Sequence, residues 1–186
     1  MRNNICYQFY LLILAWHFYI GYSRGIILQA YYFVASIVSL VVASRFYQAL
    51  SEEITLWIPY SNAGQGASMN FFTDVNIFDL DRVYYAGVAF IAIYVVVYAL
   101  FRLLGIVVHL LPLHHFDNVK VNCVSGVLAI LVTLISCNLL LTLLATVPMS
   151  MVQNLLSSSW LVRLIINDFQ PLAGIIKSLW VTAILG

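Results

Sequence analysis

The chain has 186 residues, 63% of them hydrophobic and only 8% charged, and its formal charge is +1. Mean hydropathy is +0.99, and because a soluble domain carries roughly 25% charged residues, this composition excludes a water-facing globule. The near-neutral balance, without a basic run, also removes the electrostatic case for nucleic acid.

Four mostly apolar stretches free of Asp, Glu, Lys and Arg stand out, Asn3–Ser23, Gly25–Ser44, Val83–Phe101 and Val121–Val162. Each reaches the ~20 residues needed to cross a hydrocarbon core of about 30 Å. Lipid offers no partner for an unpaired backbone N–H, so a single crossing segment has to be helical. The expected fold is an all-α integral membrane protein, with four transmembrane helices in two hairpins over 1–147. An amphipathic C-terminal helical tail at the membrane interface is expected over 148–186. Spans are expected at about 5–22, 26–46, 83–103 and 121–147, with a polar and interfacial loop at 47–82.

Arg2 and the apolar run behind it resemble a secretory signal, but the run is too long for a typical signal core and lacks a small-residue cleavage pattern. It reads as a retained first span. Trp16, His17, Tyr19 and Tyr22 gather near its end, as interfacial aromatic residues do. His17 is expected at the interface or hydrogen-bonded between helices. Next comes Gly21-Tyr-Ser-Arg24-Gly25-Ile-Ile-Leu-Gln29, which holds the only charge between the first two spans. Arg24 is thereby placed at the tip of a tight helical hairpin, with Gly21 and Gly25 as candidates for the unusual backbone angles of a sharp reversal. Arg24 either anchors that tip among lipid headgroups or recognises a partner or lipid phosphate through its guanidinium.

In the second span Ala35, Ser39 and Ala43 recur every four residues and share one face, suited to close packing against the first or fourth span. The alternative is a polar lining for a solute path that includes Gln29 and Ser36. Ser51-Glu52-Glu53 reads as a helix N-cap followed by acids in the first turn. Leu56-Trp-Ile-Pro-Tyr60 is expected along the interface, 61–68 as a flexible loop, and 71–81 as a segment dipping into the membrane surface. Asp81 is expected to cap the third span, whose apolar pattern runs on to Leu111. A helix of that length is roughly 44 Å, longer than the core. Arg102 is therefore expected to snorkel to the interface.

His109, His114, His115 and Asp117 are the one cluster of ligand-type side chains, but Pro112 breaks the helix between them. They are expected to be interfacial histidines rather than a zinc site. No catalytic triad, P-loop or dinucleotide motif is present, so neither catalytic residues nor a metal or cofactor is expected. In the fourth span Ser125, Ala129, Thr133 and Cys137 form a second small-residue face, suited to the one on the second span. Asn138 and Thr142 are expected to supply interhelical hydrogen bonds. Cys6, Cys123 and Cys137 are expected as small hydrophobes in helix contacts. After Pro148, Ser150-Met-Val-Gln153 has capping-box spacing, and two amphipathic pieces broken at Pro171 follow.

The hairpin Gly21-x-x-Arg24-Gly25-x-x-x-Gln29 resembles that of the CvpA (colicin V production) family of bacterial inner-membrane proteins. Leu56-Trp-Ile-Pro-Tyr60, Tyr84-Tyr-Ala-Gly-Val-Ala-Phe90, Leu111-Pro-Leu113 and the tail around Ser159–Ile165 and Leu179-Trp180 resemble its Gram-positive-type members in the same order. The chain departs from the family at 120–126, where Lys120 is the only base and an Asn-Arg pair is usual. The resemblance implies a four-span protein of the bacterial plasma membrane linked to production or export of a peptide toxin, and to the envelope. It brings no catalytic residues. Partners are expected to be the lipid bilayer and membrane proteins or further copies of the chain. With four spans both termini share a side, and the basic residues weakly favour the cytoplasm for it. A small-solute transporter or channel subunit using Arg24, Gln29, Arg102 and Asn138, and a membrane enzyme, are the competing readings.

Overall fold

The computed structural model describes residues 2–58, 71, 80–109, 118–168, 174–175 and 177–181. Four long helices dominate: α1 Arg2–Arg24, α2 Ile26–Ile54, α3 Leu80–His109 and α4 Val119–Ala145. The short helices α5 Ser150–Ser158 and α6 Trp160–Arg163 follow, then π-helical turns at Leu164–Asp168 and Lys177–Val181. The described residues contain no strand. Among the described residues three helices are long and apolar enough to cross a membrane, α2, α3 and α4, with mean hydropathies of 2.1, 2.5 and 2.6 in their most apolar stretches. Helix α1 is 23 residues long but is diluted by Asn3, Asn4, Gln8 and His17. The long helices leave many aliphatic side chains uncovered by protein, among them Val34, Val41, Val95, Leu103, Ile106, Val127 and Leu140. Such faces are a liability in water and the natural surface of a helix in lipid.

The chain forms two compact units, one made of 1–42 and 94–136, the other of 43–93 and 137–186. In the first unit α1, the start of α2, the end of α3 and the start of α4 meet. Ser125 of α4 is fully buried against α1, and Gly21 and Gly126 give the close approach: a Cβ at Gly21 would lie 2.8 Å from the Ser125 carbonyl oxygen, and one at Gly126 2.5 Å from the Phe18 ring. The α4 face carrying Ser125 and Ala129, which its spacing suited to α2, here receives α1. The His17 Nδ1 lies 2.8 Å from the Ile13 carbonyl of its own helix, and among the described residues it bonds to no other helix. Cys123 is exposed, contrary to the expectation of a buried filler, and Cys137 is half-buried.

In the second unit α2 runs on through Ser51, Glu52 and Glu53, which therefore end a helix instead of starting one. The Ser51 hydroxyl donates back to the Gln48 carbonyl at 2.7 Å, and both acids stay exposed, so water rather than the helix dipole solvates them. Leu56 and Trp57 follow in a turn and are exposed, while 59–70 and 72–79 lie outside the described residues. Asp81 sits within the first turn of α3, not before it, and its carboxylate accepts the Arg82 N–H at 2.6 Å.

The tail segment packs into this unit. Phe71, Ala145, Leu156 and Ile166 form its core, with Leu141, Val152 and Val162 against them. Trp180 is fully buried, 5.1 Å from the Phe90 ring centre and against Gly87. Asn138 donates to the Ile165 carbonyl outside α4 at 2.6 Å, as expected, whereas Thr142 bonds within its own helix, donating to the Asn138 Oδ1 at 3.2 Å. Gln153 makes no capping box. No side chain caps α5, and the buried Gln153 amide donates to the Ala145 and Val147 carbonyls, each at 3.0 Å. Those carbonyls belong to the end of α4, where helical partners run out, and this need outweighs a reciprocal cap. Pro171 lies outside the described residues.

Candidate functional site

The hairpin apex is a single residue. Helix α1 ends at Arg24 and α2 begins at Ile26, and Gly25 between them has φ +80°. Only glycine adopts that angle without strain. Its carbonyl accepts the Gln29 N–H at 3.2 Å, the first bond of α2. Of the two flanking glycines, then, Gly25 makes the reversal, and Gly21 serves a different purpose, the contact with α4. Ser125 closes the apex from that side. Its hydroxyl lies 2.5 Å from the Gly21 carbonyl and 3.0 Å from that of Gly25, so one proton is shared between two acceptors. The Gly21 carbonyl belongs to the last turn of α1, where helical donors run out and lipid offers none, and its satisfaction explains a serine at that position.

About two turns into α2, the Tyr32 ring is buried and carries two guanidiniums. The Arg24 Cζ lies 5.2 Å from its centre and the Arg102 Cζ 5.5 Å. Both distances fall in the cation–π range, worth about 0.5–1 kcal/mol at an exposed site and more when desolvated. Gly105, one turn beyond Arg102 on α3, opens the notch that takes the ring. A Cβ there would lie 2.8 Å from the Tyr32 hydroxyl oxygen. The neighbouring Tyr31 fixes α2 to α3 by donating to the Phe101 carbonyl at 2.9 Å, with its ring edge-on to both Tyr32 and Phe101.

Deeper in the same unit lies a polar knot. Ser36 and Tyr94 meet at 2.9 Å, and the Tyr94 hydroxyl reaches Ser136 at 3.3 Å. Tyr94 stacks on Tyr98, with centres 5.9 Å apart and planes 5° from parallel. Gln29 is buried on the α2 face it shares with Tyr32 and Ser36, and its Oε1 has no hydrogen-bond partner. Of the small-residue positions, Ala35 and Ser39 are buried in this unit and Ala43 in the other; Ser125, Ala129 and Thr133 are buried along α4. Ser39 and Thr133 direct their hydroxyls to carbonyls of their own helices, Ala35 and Ala129.

The structure thus gathers Gly21, Arg24, Gly25 and Ser125 at one apex and brings Arg102, from far along the chain, to the same Tyr32 ring as Arg24. Tyr32 and Gly105 were invisible in the sequence, where an aromatic residue and a glycine inside apolar helices are ordinary. The spacing Arg102-x-x-Gly105 was the one available hint. His114, His115 and Asp117 lie outside the described residues, and the described residues hold no group of three or more His, Cys, Asp or Glu with the geometry of a metal site.

Against known proteins, residues 9–170 match the model of a family described as Colicin V production protein. The chain is also 30% identical over 167 residues to the uncharacterized transmembrane protein YshB of Bacillus subtilis (strain 168). That match covers 87% of this chain and 89% of the relative. No solved structure matches.

Proposed function

The chain belongs to the Colicin V production protein family, and on that premise we propose that it is a non-catalytic accessory factor of the bacterial plasma membrane. In this reading it supports production or export of a peptide toxin and upkeep of the envelope, through protein partners or self-association. The observation that carries the reading is the family match over residues 9–170. It is supported by an apex built for tight packing and by long aliphatic faces free to meet lipid or other membrane helices. Helix α1 is taken as a fourth crossing, which puts both termini on one side, the cytoplasm. The Ser150–Ser158 helix, with Met151 and Leu155 exposed, is taken to touch the interface. The test is deletion of the gene in a toxin-exporting strain, with active peptide assayed in the medium and inside the cells. Loss from the medium, restored by wild type and not by Arg24→Ala, is the expected outcome. Unchanged toxin would refute the role.

A second reading, a subunit of an oligomeric small-solute transporter or channel, draws on one observation. Gln29, Ser36, Tyr94 and Ser136 place polar atoms inside an otherwise apolar unit. Solute flux into liposomes that falls with Tyr94→Phe would favour it; no flux above empty liposomes would set it aside.

A further inference from the structure

We propose that Arg24 and Arg102, gathered on the Tyr32 ring, form a binding site for a phosphate group, carried either by an anionic lipid or by free phosphate. Each guanidinium presents five N–H donors in a rigid fork suited to an oxyanion. No described residue takes a hydrogen bond or makes an ion pair with either of them; their shared partner is a ring face, at 5.2 and 5.5 Å. A ring face attracts a cation without occupying its donors, so both forks keep their capacity for an anion.

The charge distribution favours an anion. The unit containing the pair holds Arg2, Arg24, Arg102 and Lys120, and its single acid is Asp117, which lies outside the described residues. The other six Asp and Glu of the chain all fall in the second unit. Two like charges held to one ring repel each other, and that repulsion grows where water is scarce. Gly105 nevertheless opens the notch that brings the ring beneath Arg102, and Gly25 sets Arg24 at the reversal. In the proposed site a phosphate shared by the two forks offsets the repulsion and satisfies them with short charge-assisted bonds. Access is open: Arg102 is exposed, and Leu103, Leu104 and Ile106 beside it are exposed aliphatics on which acyl chains can lie. The site rests on this geometry and not on the export role, so its test is binding rather than secretion.

The full chain, purified in neutral detergent, is offered phosphatidylglycerol or a diacylglycerol of the same chains that lacks phosphate. Retained lipid is counted by native mass spectrometry, and in a lipid-free preparation inorganic phosphate is titrated calorimetrically. Arg24→Gln, Arg102→Gln and the double variant are compared with wild type, with helical circular dichroism and elution volume confirming the fold. Wild type is expected to prefer the phosphate-bearing ligand by about tenfold or more, and the double variant to lose that preference. Each single change should lower it by about threefold or more, since one anion bridges both forks. Retention of phosphatidylglycerol in excess inorganic phosphate identifies a lipid headgroup. Binding of inorganic phosphate alone, lost in the double variant, identifies a soluble anion. The proposal is overturned if wild type prefers neither, or if any of these variants, folded as wild type, binds unchanged.

Discussion

Adding one methyl group at Gly21 should loosen the hairpin apex. A Cβ built there lies 2.8 Å from the Ser125 carbonyl oxygen, 3.1 Å from the Gly126 Cα, and closer still to the Ala129 methyl. A carbon–oxygen contact normally stays beyond about 3.3 Å, so α1 has to retreat from α4 by roughly half an ångström or more. None of the three obstructing atoms can swing aside, because each is backbone or a Cβ. Overpacking of this kind costs about 1–3 kcal/mol. The retreat also stretches the Ser125 hydroxyl bond to the Gly21 carbonyl, and bonds between membrane helices average about 0.6 kcal/mol. Gly21→Ala should therefore lose about 2–3 kcal/mol in reversible unfolding by dodecyl sulfate in mixed micelles, followed by circular dichroism. Ala129→Gly in the same background removes one of the three obstructions and should restore part of the loss. Gly25→Ala meets no neighbouring atom within 4 Å, so its cost should be the conformational one alone, about 1–2 kcal/mol. A Gly21→Ala protein within about 0.5 kcal/mol of wild type would refute the packing argument.

Three further outcomes are expected in the same assay. Tyr94→Phe strands the fully buried Ser36 hydroxyl and should cost about 1 kcal/mol, most of it absent in a Ser36→Ala background if the pair is coupled. Gln153→Ala leaves the Ala145 and Val147 carbonyls without their amide donor; a loss of about 1–3 kcal/mol and faster amide exchange in α5 should follow. Trp180→Ala empties a fully buried site beside Phe90 and Gly87, with an expected loss of about 3–5 kcal/mol; a loss under about 1 kcal/mol would mean that the tail does not pack there.

The features legible in the sequence were those set by local chemistry and by lipid. The reversal at Gly25 showed because a lone Arg between two apolar runs punctuates them. Asn138 declared itself because a polar side chain in an apolar span needs a partner, while Thr142 turned to Asn138 within its own helix. What stayed hidden depends on a neighbour distant in the chain. Gly21 looked like half of a turn, and only its contact with Ser125 and Gly126 shows that its missing side chain admits α4. Ser51 and its two acids carry a start signal, yet α2 runs through them because nothing in that turn opposes helix and the exposed acids need only water. The capping-box spacing at Gln153 was overridden by the unpaired carbonyls at the end of α4. For Arg102 the hidden part was its convergence with Arg24 on Tyr32, which links α3 to α2 across a long stretch of chain.

The Ser125 clamp also sets an order of events in time. It joins positions 104 residues apart, and at about 5–20 residues per second a ribosome takes roughly 5–20 s to make that length of chain. For most of that interval α1 and α2 are already synthesised, joined by one residue, with the Gly21 carbonyl and the groove beside it uncovered. The apex thus spends its first seconds as an open half-joint, and the segment that finishes it is among the last long helices to emerge. A nascent chain halted before Ser125 should expose Gly21 to any small-faced helix nearby, so the fidelity of this joint depends on what surrounds it while it waits.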